Sequence, residues 1–254
     1  MGTRAIRQSI LITGASSGLG RGMAREFAAR GRNLALAARR TDRLEELRSE
    51  LLAAHPQITV AIRKLDVDVH DQVFSVFREL DEELGGLDRV IVNAGLGKGQ
   101  PLGTGYFRAN VQTARTNFLG ALAQSEAALE LFRPRNAGHV VLISSVSAMR
   151  GMPRNLTTYA ASKAGVATLG EGMRADLAKT GIDVSTIFPG FIRSEINEKV
   201  KKVPFIVDTE TGCRALAAAI EKEPNKAYVP AWPWLPVSMA MKVLPLSVVS
   251  KMAG

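Results

Sequence analysis

Ile10-Leu11-Ile12-Thr13-Gly14-Ala15-Ser16-Ser17-Gly18-Leu19-Gly20 decides how this chain folds. An apolar run too short for a helix enters three glycines, and residues of helical period follow from Leu19 to Arg30. Glycines at such a junction let the backbone turn tightly and approach a pyrophosphate, while the opening helix turns unpaired N–H groups toward it. A glycine trio alone marks an ordinary turn. The strand before it and the helix after it make Gly14, Ser16, Ser17, Gly18, Leu19 and Gly20 candidate contacts for a nucleotide.

Outward from that loop, short apolar runs recur at Leu34 to Ala38, Thr59 to Ile62, Arg89 to Val92, Val140 to Ser144, Val184 to Phe188, and Tyr228 to Val229. Stretches of helical period, such as Asp42 to Ala54 and Asp71 to Leu84, lie between them, with Gly31 and Gly85 placed as helix stops. Strand alternating with helix predicts an α/β fold: a Rossmann-type, doubly wound parallel sheet of about seven strands with helices on both faces. Right-handed crossovers then open a crevice at the C-terminal strand edges. A chain of 254 residues, 46% hydrophobic, with no internal repeat or linker, reads as a single domain over 1–254.

The formal charge of +9 is compatible with nucleic acid, anionic lipid or a phosphate-bearing cofactor. Basic residues alternate with acids, as in Arg43, Glu45, Glu46, Arg48 and Glu50, and form no tail or aromatic-interleaved patch, so no nucleic-acid partner is expected. Cys213 is the only cysteine, which excludes an internal disulfide and points to a reducing, cytoplasmic compartment. His55, His70 and His139 have no ligand spacing, so no metal is expected. The N-terminal apolar run is too short for a signal peptide, and Ile6 stands where a myristoylation signal needs Ser or Thr.

In dinucleotide folds an acid closing the second strand binds the ribose 2′-hydroxyl. Here that strand ends Ala37-Ala38-Arg39-Arg40. Two guanidinium groups suit a 2′-phosphate, which favours NADP(H), with Arg39 the main contact and Arg40 its partner. The alternative is a pair of arginines that merely begins the next helix beside Asp42.

In Thr158-Tyr159-Ala160-Ala161-Ser162-Lys163-Ala164-Gly165, helical spacing points the Tyr159 phenol and the Lys163 ammonium the same way. A nearby cation stabilises phenolate and brings the proton toward a usable range. Taken alone, the pair is equally a solvated surface contact.

Together these motifs resemble the short-chain dehydrogenase/reductase family, from Thr13 to about Ser194. The glycine loop, Asn93-Ala94-Gly95 after the fourth strand, Ser144-Ser145 ending the fifth, Tyr159 to Lys163 on the next long helix and Pro189-Gly190 after the sixth strand fall in family order. The resemblance, with the arginines after the second strand, implies an NADP(H)-dependent oxidoreductase that interconverts a carbonyl, a ketone or aldehyde, and an alcohol by hydride transfer; the apolar run Val203 to Val207 suggests an apolar carbonyl compound, or else a buried loop core. It implies that Tyr159 exchanges the proton, Ser145 polarises the carbonyl oxygen, Lys163 holds the nicotinamide ribose and lowers the Tyr159 pKa, and Asn117, in a long helix, holds a relay water. Asn117 reads equally as a satisfied core residue, and Ser147 is an alternative to Ser145. The segment from Ser145 to Tyr159 is one residue longer than the commonest family spacing, which predicts a bulged loop.

By position the resemblance adds Asp66 and Val67 around adenine, Asn93, Ala94 and Gly95 lining the crevice, and Pro189, Gly190, Ile192 and Ser194 near the nicotinamide and phosphates. Plain alternatives are a helix cap for Asp66 and a turn for Asn93 and Gly95. Residues 195–211 correspond to a substrate loop, whose Val203 to Val207 follow Lys199, Lys201 and Lys202. Small residues Ala160, Ala164, Ala167 and Gly170 would let another helix approach closely, and the resemblance implies a homodimer or homotetramer paired through this helix; packing against the chain's own sheet is the alternative. The apolar tail, 228–254, with Trp232 and Trp234, reads as a pocket cover or subunit contact, or as a membrane-surface contact through Lys242 and Lys251. Two other functions fit the same motifs: a peripheral-membrane lipid carbonyl reductase, and a non-catalytic NADP-binding sensor or scaffold.

Overall fold

The computed structural model describes residues 6–97, 99–195 and 205–252. Strands β1 (Ser9–Thr13), β2 (Asn33–Ala38), β3 (Val60–Lys64), β4 (Arg89–Val92), β5 (Gly138–Ile143), β6 (Ile182–Pro189) and β7 (Lys226–Val229) form one sheet in the order β3-β2-β1-β4-β5-β6-β7. Every neighbouring pair is parallel. Helices α1 (Gly18–Ala28), α2 (Thr41–Ala54), α3 (His70–Glu83), α4 (Phe107–Ala114), α5 (Gly120–Arg135), α6 (Thr157–Asp176), α7 (Thr209–Glu221), α8 (Ala231–Val243) and α9 (Leu246–Met252) complete the described elements.

Strand alternation sorts the core into two layers. Leu11, Val90, Val92, Val140 and Leu142 meet Phe77 of α3, Phe132 of α5 and Val166 and Met173 of α6. Ile10, Ile12, Ile91, Val141 and Ile143 meet Phe27 of α1, Leu47 of α2 and Leu216 and Ile220 of α7. Because both faces are covered, the strands read as continuous apolar runs. Burying each Leu, Ile or Phe contributes about 1.5–3 kcal/mol.

The order in which strands are added reverses between β1 and β4, and the loops leaving these two strands meet there. Thr13 Oγ1 accepts from the backbone N–H groups of Asn93 (3.0 Å) and Ala94 (3.1 Å), and Asn93 Nδ2 donates to the Thr13 carbonyl at 2.8 Å. This is the topological switch point at which open α/β sheets bind ligands.

Several boundaries differ from expectation. β3 runs on to Lys64 because Ala38 pairs with it. β5 stops at Ile143, although the Ser144 N–H still donates to the Ile187 carbonyl at 2.8 Å. The helix expected to carry Asn117 continuously is broken by a π turn, Arg115–Leu119. The bulged segment before Tyr159 is two 3-10 turns, Val146–Met149 and Arg154–Leu156. In the tail, α8 is kinked at Trp232 and then runs through Pro236. Of the small residues on α6, Ala160 is buried and Gly170 lies against Thr186 and Leu142 of its own sheet. Residues 196–204, including Lys199, Lys201, Lys202 and Val203, lie outside the described residues, as does the Lys251 side chain.

At the opposite end of the sheet Arg89 is wholly buried. Its guanidinium donates to His139 Nδ1 at 2.9 Å and pairs with Glu223 at 2.9 Å, while Arg7 bridges Glu223 (2.8 Å) and Asp183 (2.9 Å). Burial alone would raise the Glu223 pKa, but the hydrogen bond from Arg7 and the charges around it hold it at about 2.

Candidate active site

α6 presents Tyr159 and Lys163 toward the segment leaving β5. Ser145, buried at the N-cap of the first 3-10 turn, accepts the Ser147 N–H at 3.1 Å. With its oxygen so engaged, its own proton is free to serve an acceptor, and Ser145 is near enough to the Tyr159 phenol to draw its pKa down. Ser147, the alternative from sequence, is buried and supplies only a backbone donor among these contacts. Ser144 turns away and donates to the Lys163 carbonyl at 2.8 Å.

Lys163 is 6% exposed, and its Nζ donates to the Ile143 carbonyl at 2.8 Å and lies 6.0 Å from the Tyr159 ring centroid. Burial lowers its pKa to about 8. Burial also raises the Tyr159 pKa, and the Ser145 hydrogen bond offsets this only in part. The expectation that Lys163 draws the phenol below its ordinary value is therefore reversed in this state: desolvation outweighs a cation committed to a strand-end carbonyl. A phenol held in this way keeps its proton and is suited to donate it.

Asn117 sits at the π turn, 1% exposed, with its amide satisfied. Oδ1 accepts the Leu96 N–H at 2.7 Å, and Nδ2 donates to the Leu96 carbonyl (2.9 Å) and Ser162 Oγ (3.1 Å). The residue thus ties the loop Asn93-Ala94-Gly95 to α6. A Cβ on Gly95 would stand 3.2 Å from Asn117 Oδ1 and 3.5 Å from Lys163 Nζ, so glycine keeps the crevice open beside the lysine. Asn117 is thus a satisfied core residue, and its Oδ1 and the Lys163 Nζ lie on the same side of Gly95.

The other predicted positions line the same edge. Gly14 and Gly18 have φ of +66° and +51°, conformations that favour glycine, and a Cβ on Gly20 would be driven into the Gly14 carbonyl. Ser17 is the N-cap of α1 yet makes no capping bond, and Ser16 Oγ accepts from Arg40 Nε at 3.3 Å. Asp66 accepts the Asp68 N–H at 3.1 Å, and Val67 packs against Gly120 of α5. Ile192 is buried and bridges Val207, closing the base of the loop after β6, and Ser194 Cβ lies 3.5 Å from the Cβ position of Gly18. Gly190, after Pro189, leaves room for the indole of Trp234, which a Cβ there would strike.

The structure redraws two expectations and adds Arg43 and Glu195 to the first. Arg40, not Arg39, reaches the glycine loop; Arg39 is exposed, because consecutive residues at a strand end point to opposite sides. Arg43 joins Arg40 in pairing with Glu195, at 2.6 Å and 3.2 Å. The tail also contributes: Trp234 is buried against Val146 and Phe188, beside Ser145, and meets the Phe191 ring edge-on at 5.3 Å. The pocket-cover reading of the tail accounts for this side of α8, while Trp232, Met239 and Val243 remain exposed on the other.

A family profile described as short chain dehydrogenase matches residues 8–204. The chain belongs to the short-chain dehydrogenase/reductase family. An uncharacterized oxidoreductase of Mycobacterium tuberculosis is 55% identical over 243 residues, covering 96% of each chain. Among solved structures, a short-chain dehydrogenase from Streptomyces avermitilis has a TM-score of 0.78 at 27% identity over 93% of each chain. An alcohol dehydrogenase of Thermococcus sibiricus, complexed with 5-hydroxy-NADP, has a TM-score of 0.78 at 24% identity, covering 87% of this chain and 94% of its own. Family membership makes the protein an oxidoreductase with the Rossmann-like single domain described above.

The short-chain dehydrogenase crevice of this chain fits a nicotinamide dinucleotide on its own residues. The positive φ at Gly14 and Gly18 and the missing cap at α1 leave backbone donors available to a pyrophosphate. Beyond them, Arg40 and Arg43 already grip a carboxylate, so their donor set accepts an anion. Among the described residues no cluster could hold a metal and no helix is long and apolar enough to cross a membrane.

Proposed function

We propose that the protein is an NADP(H)-dependent oxidoreductase that interconverts an apolar ketone or aldehyde and its alcohol. The observation that carries this reading is the convergence of buried Ser145, at the turn leaving β5, on the α6 pair Tyr159 and Lys163, whose ammonium lies 6.0 Å from the phenol ring and is desolvated. When bound, the nicotinamide supplies or takes the hydride at the carbonyl carbon. Tyr159 donates its proton to the developing alkoxide in the reductive direction and recovers it in the other. Ser145 holds the same oxygen, its own oxygen kept oriented by the Ser147 N–H. Lys163 supplies positive charge beside the phenol and binds the nicotinamide ribose, and Asn117 fixes the loop on which that ribose rests. Asp66, Val67, Asn93, Ala94, Ile192 and Ser194 complete the cofactor crevice. The aromatic wall of Phe188, Phe191, Tyr228 and Trp234 favours an apolar substrate.

Cofactor choice is the direct test. With a panel of ketones and aldehydes followed by nicotinamide absorbance, kcat/KM is expected to be at least about tenfold higher with NADPH than with NADH, the effect of an Arg–phosphate contact. Equal values would remove the arginine argument. We further propose a homo-oligomer, because Phe107, Val111 and Leu119 stand exposed along α4 and the π turn beside α6. A monomer by light scattering at micromolar concentration would contradict it.

A further inference from the structure

The base of the loop after β6 carries a carboxylate into the place where the cofactor reading needs an anion. Glu195 is half-exposed, yet its side chain is drawn onto two guanidinium groups from another part of the chain. It pairs with Arg43 at 2.6 Å and Arg40 at 3.2 Å; burial would raise its pKa, but these arginines, with Ser17 nearby, hold it below the ordinary value. Arg40 at the same time reaches Ser16 through Nε. These partners are the end of the glycine loop and the start of α2, the two segments that flank the adenosine end of the crevice. Nothing else in the chain's design calls for an acid here. Ser17 could cap α1 with its own side chain and does not, and Arg40 and Arg43 lie 155 and 152 residues from Glu195 in sequence.

We infer that Ser17, Arg40 and Arg43 form the site for the 2′-phosphate of NADP(H), and that Glu195 is an internal competitor occupying it until the cofactor arrives. The inference rests on the NADP reading and adds two elements to it: Arg43 as a specificity-determining residue, and a carboxylate that must leave. A dianionic phosphate and a carboxylate cannot share two guanidinium groups without like-charge repulsion, so the phosphate displaces Glu195. A ligand lacking that phosphate leaves Glu195 in place. Glu195 therefore weakens binding of the phosphorylated ligand selectively and adjoins Ser194, so cofactor arrival and the base of the substrate loop are coupled through one residue.

The test is calorimetric and needs no turnover. Adenosine 2′,5′-bisphosphate and ADP are titrated into the wild-type protein, Glu195→Gln and Arg43→Met. Exposed ion pairs are worth a few tenths to one kcal/mol each, so Glu195→Gln is expected to tighten the 2′,5′-bisphosphate by about three- to tenfold while ADP changes by less than about twofold. Arg43→Met is expected to weaken the bisphosphate and spare ADP. If the wild type prefers the bisphosphate but Glu195→Gln leaves its affinity unchanged or weaker, the competitor is refuted and the NADP reading stands. If the wild type binds both ligands alike, the NADP reading itself fails. Thermal melts of each variant confirm that the fold is intact, as expected for side chains this exposed.

Discussion

Tyr159→Phe lowers kcat for carbonyl reduction by about 10²- to 10⁴-fold, the usual worth of a positioned general acid. Phenylalanine keeps the ring and its packing on α6, so melting temperature and NADPH affinity stay close to wild type. Only the hydroxyl is lost, and with it the group that burial has kept protonated. Ser145→Ala follows the same pattern, because the Ser145 hydroxyl is the one beside that phenol, whereas Ser147→Ala, which keeps the backbone N–H that Ser145 accepts, retains most activity. Steady-state kinetics on the three variants check this. An essential Ser147 with a dispensable Ser145 would reverse the assignment.

The second large effect lies at the far end of the sheet and concerns stability. Glu223→Gln is expected to cost about 3–5 kcal/mol, because it takes the nearer of two carboxylates from the buried Arg89 guanidinium, leaving Glu221 at 3.5 Å, and removes a partner from Arg7. For a chain of this size that is a fall in melting temperature of roughly 6–20 °C. The pH dependence has a definite sign. Glu223 is held at about 2 in the fold against an ordinary value of 4.5, so the folded state keeps the ionised form more strongly than the unfolded chain does. The stability it contributes is complete above about pH 4.5 and is lost as pH falls from there toward 2, roughly 3 kcal/mol in all. Urea unfolding at pH 7, 4.5 and 3 should show a steeper decline for the wild type than for Glu223→Gln. Parallel declines would mean that the cluster carries no such linkage.

The parts of this protein that were legible in its sequence are those written locally. The Ile10 to Gly20 stretch specifies a strand, a turn requiring positive φ and a helix start, and the structure places all three there. Tyr159 and Lys163 are one helical turn apart and meet their strand-end neighbours because β5 immediately precedes the turn that leads to α6. Groupings that depend on long-range closure were not legible. Arg89, His139 and Glu223 are separated by 50 and 134 residues along the chain, measured from Arg89, and only the parallel register brings them together. Glu195 reads as an unremarkable acid after Ser194 until the fold lays it on Arg40 and Arg43. Which of Arg39 and Arg40 faces the glycine loop depends on the phase of β2 at its last residue, which composition does not reveal. The direction of the Tyr159 shift was misjudged for a similar reason: helical spacing shows a cation nearby, but not that the Ile143 carbonyl engages it or that the phenol is desolvated.

The tail shows the same division. Its apolar content pointed to a cover, a subunit contact or a membrane contact, and the packed side of α8 decides only what Trp234 does. The indole fills the space left by Gly190 and packs on Val146, the residue after Ser145, so a residue beyond the region in which family motifs occur is joined to the candidate site.

The central claim is that this crevice transfers a hydride to a carbonyl carbon while Tyr159 supplies the proton. It is tested most directly by incubating the protein with NADPH deuterated at the transferable C4 position and a panel of apolar ketones, then analysing the alcohols by mass spectrometry. The account predicts one deuterium, on the carbinol carbon, for the wild-type protein and product reduced by about 10²-fold or more for Tyr159→Phe. Alcohol formed without deuterium, or at an undiminished rate in the variant, would contradict it.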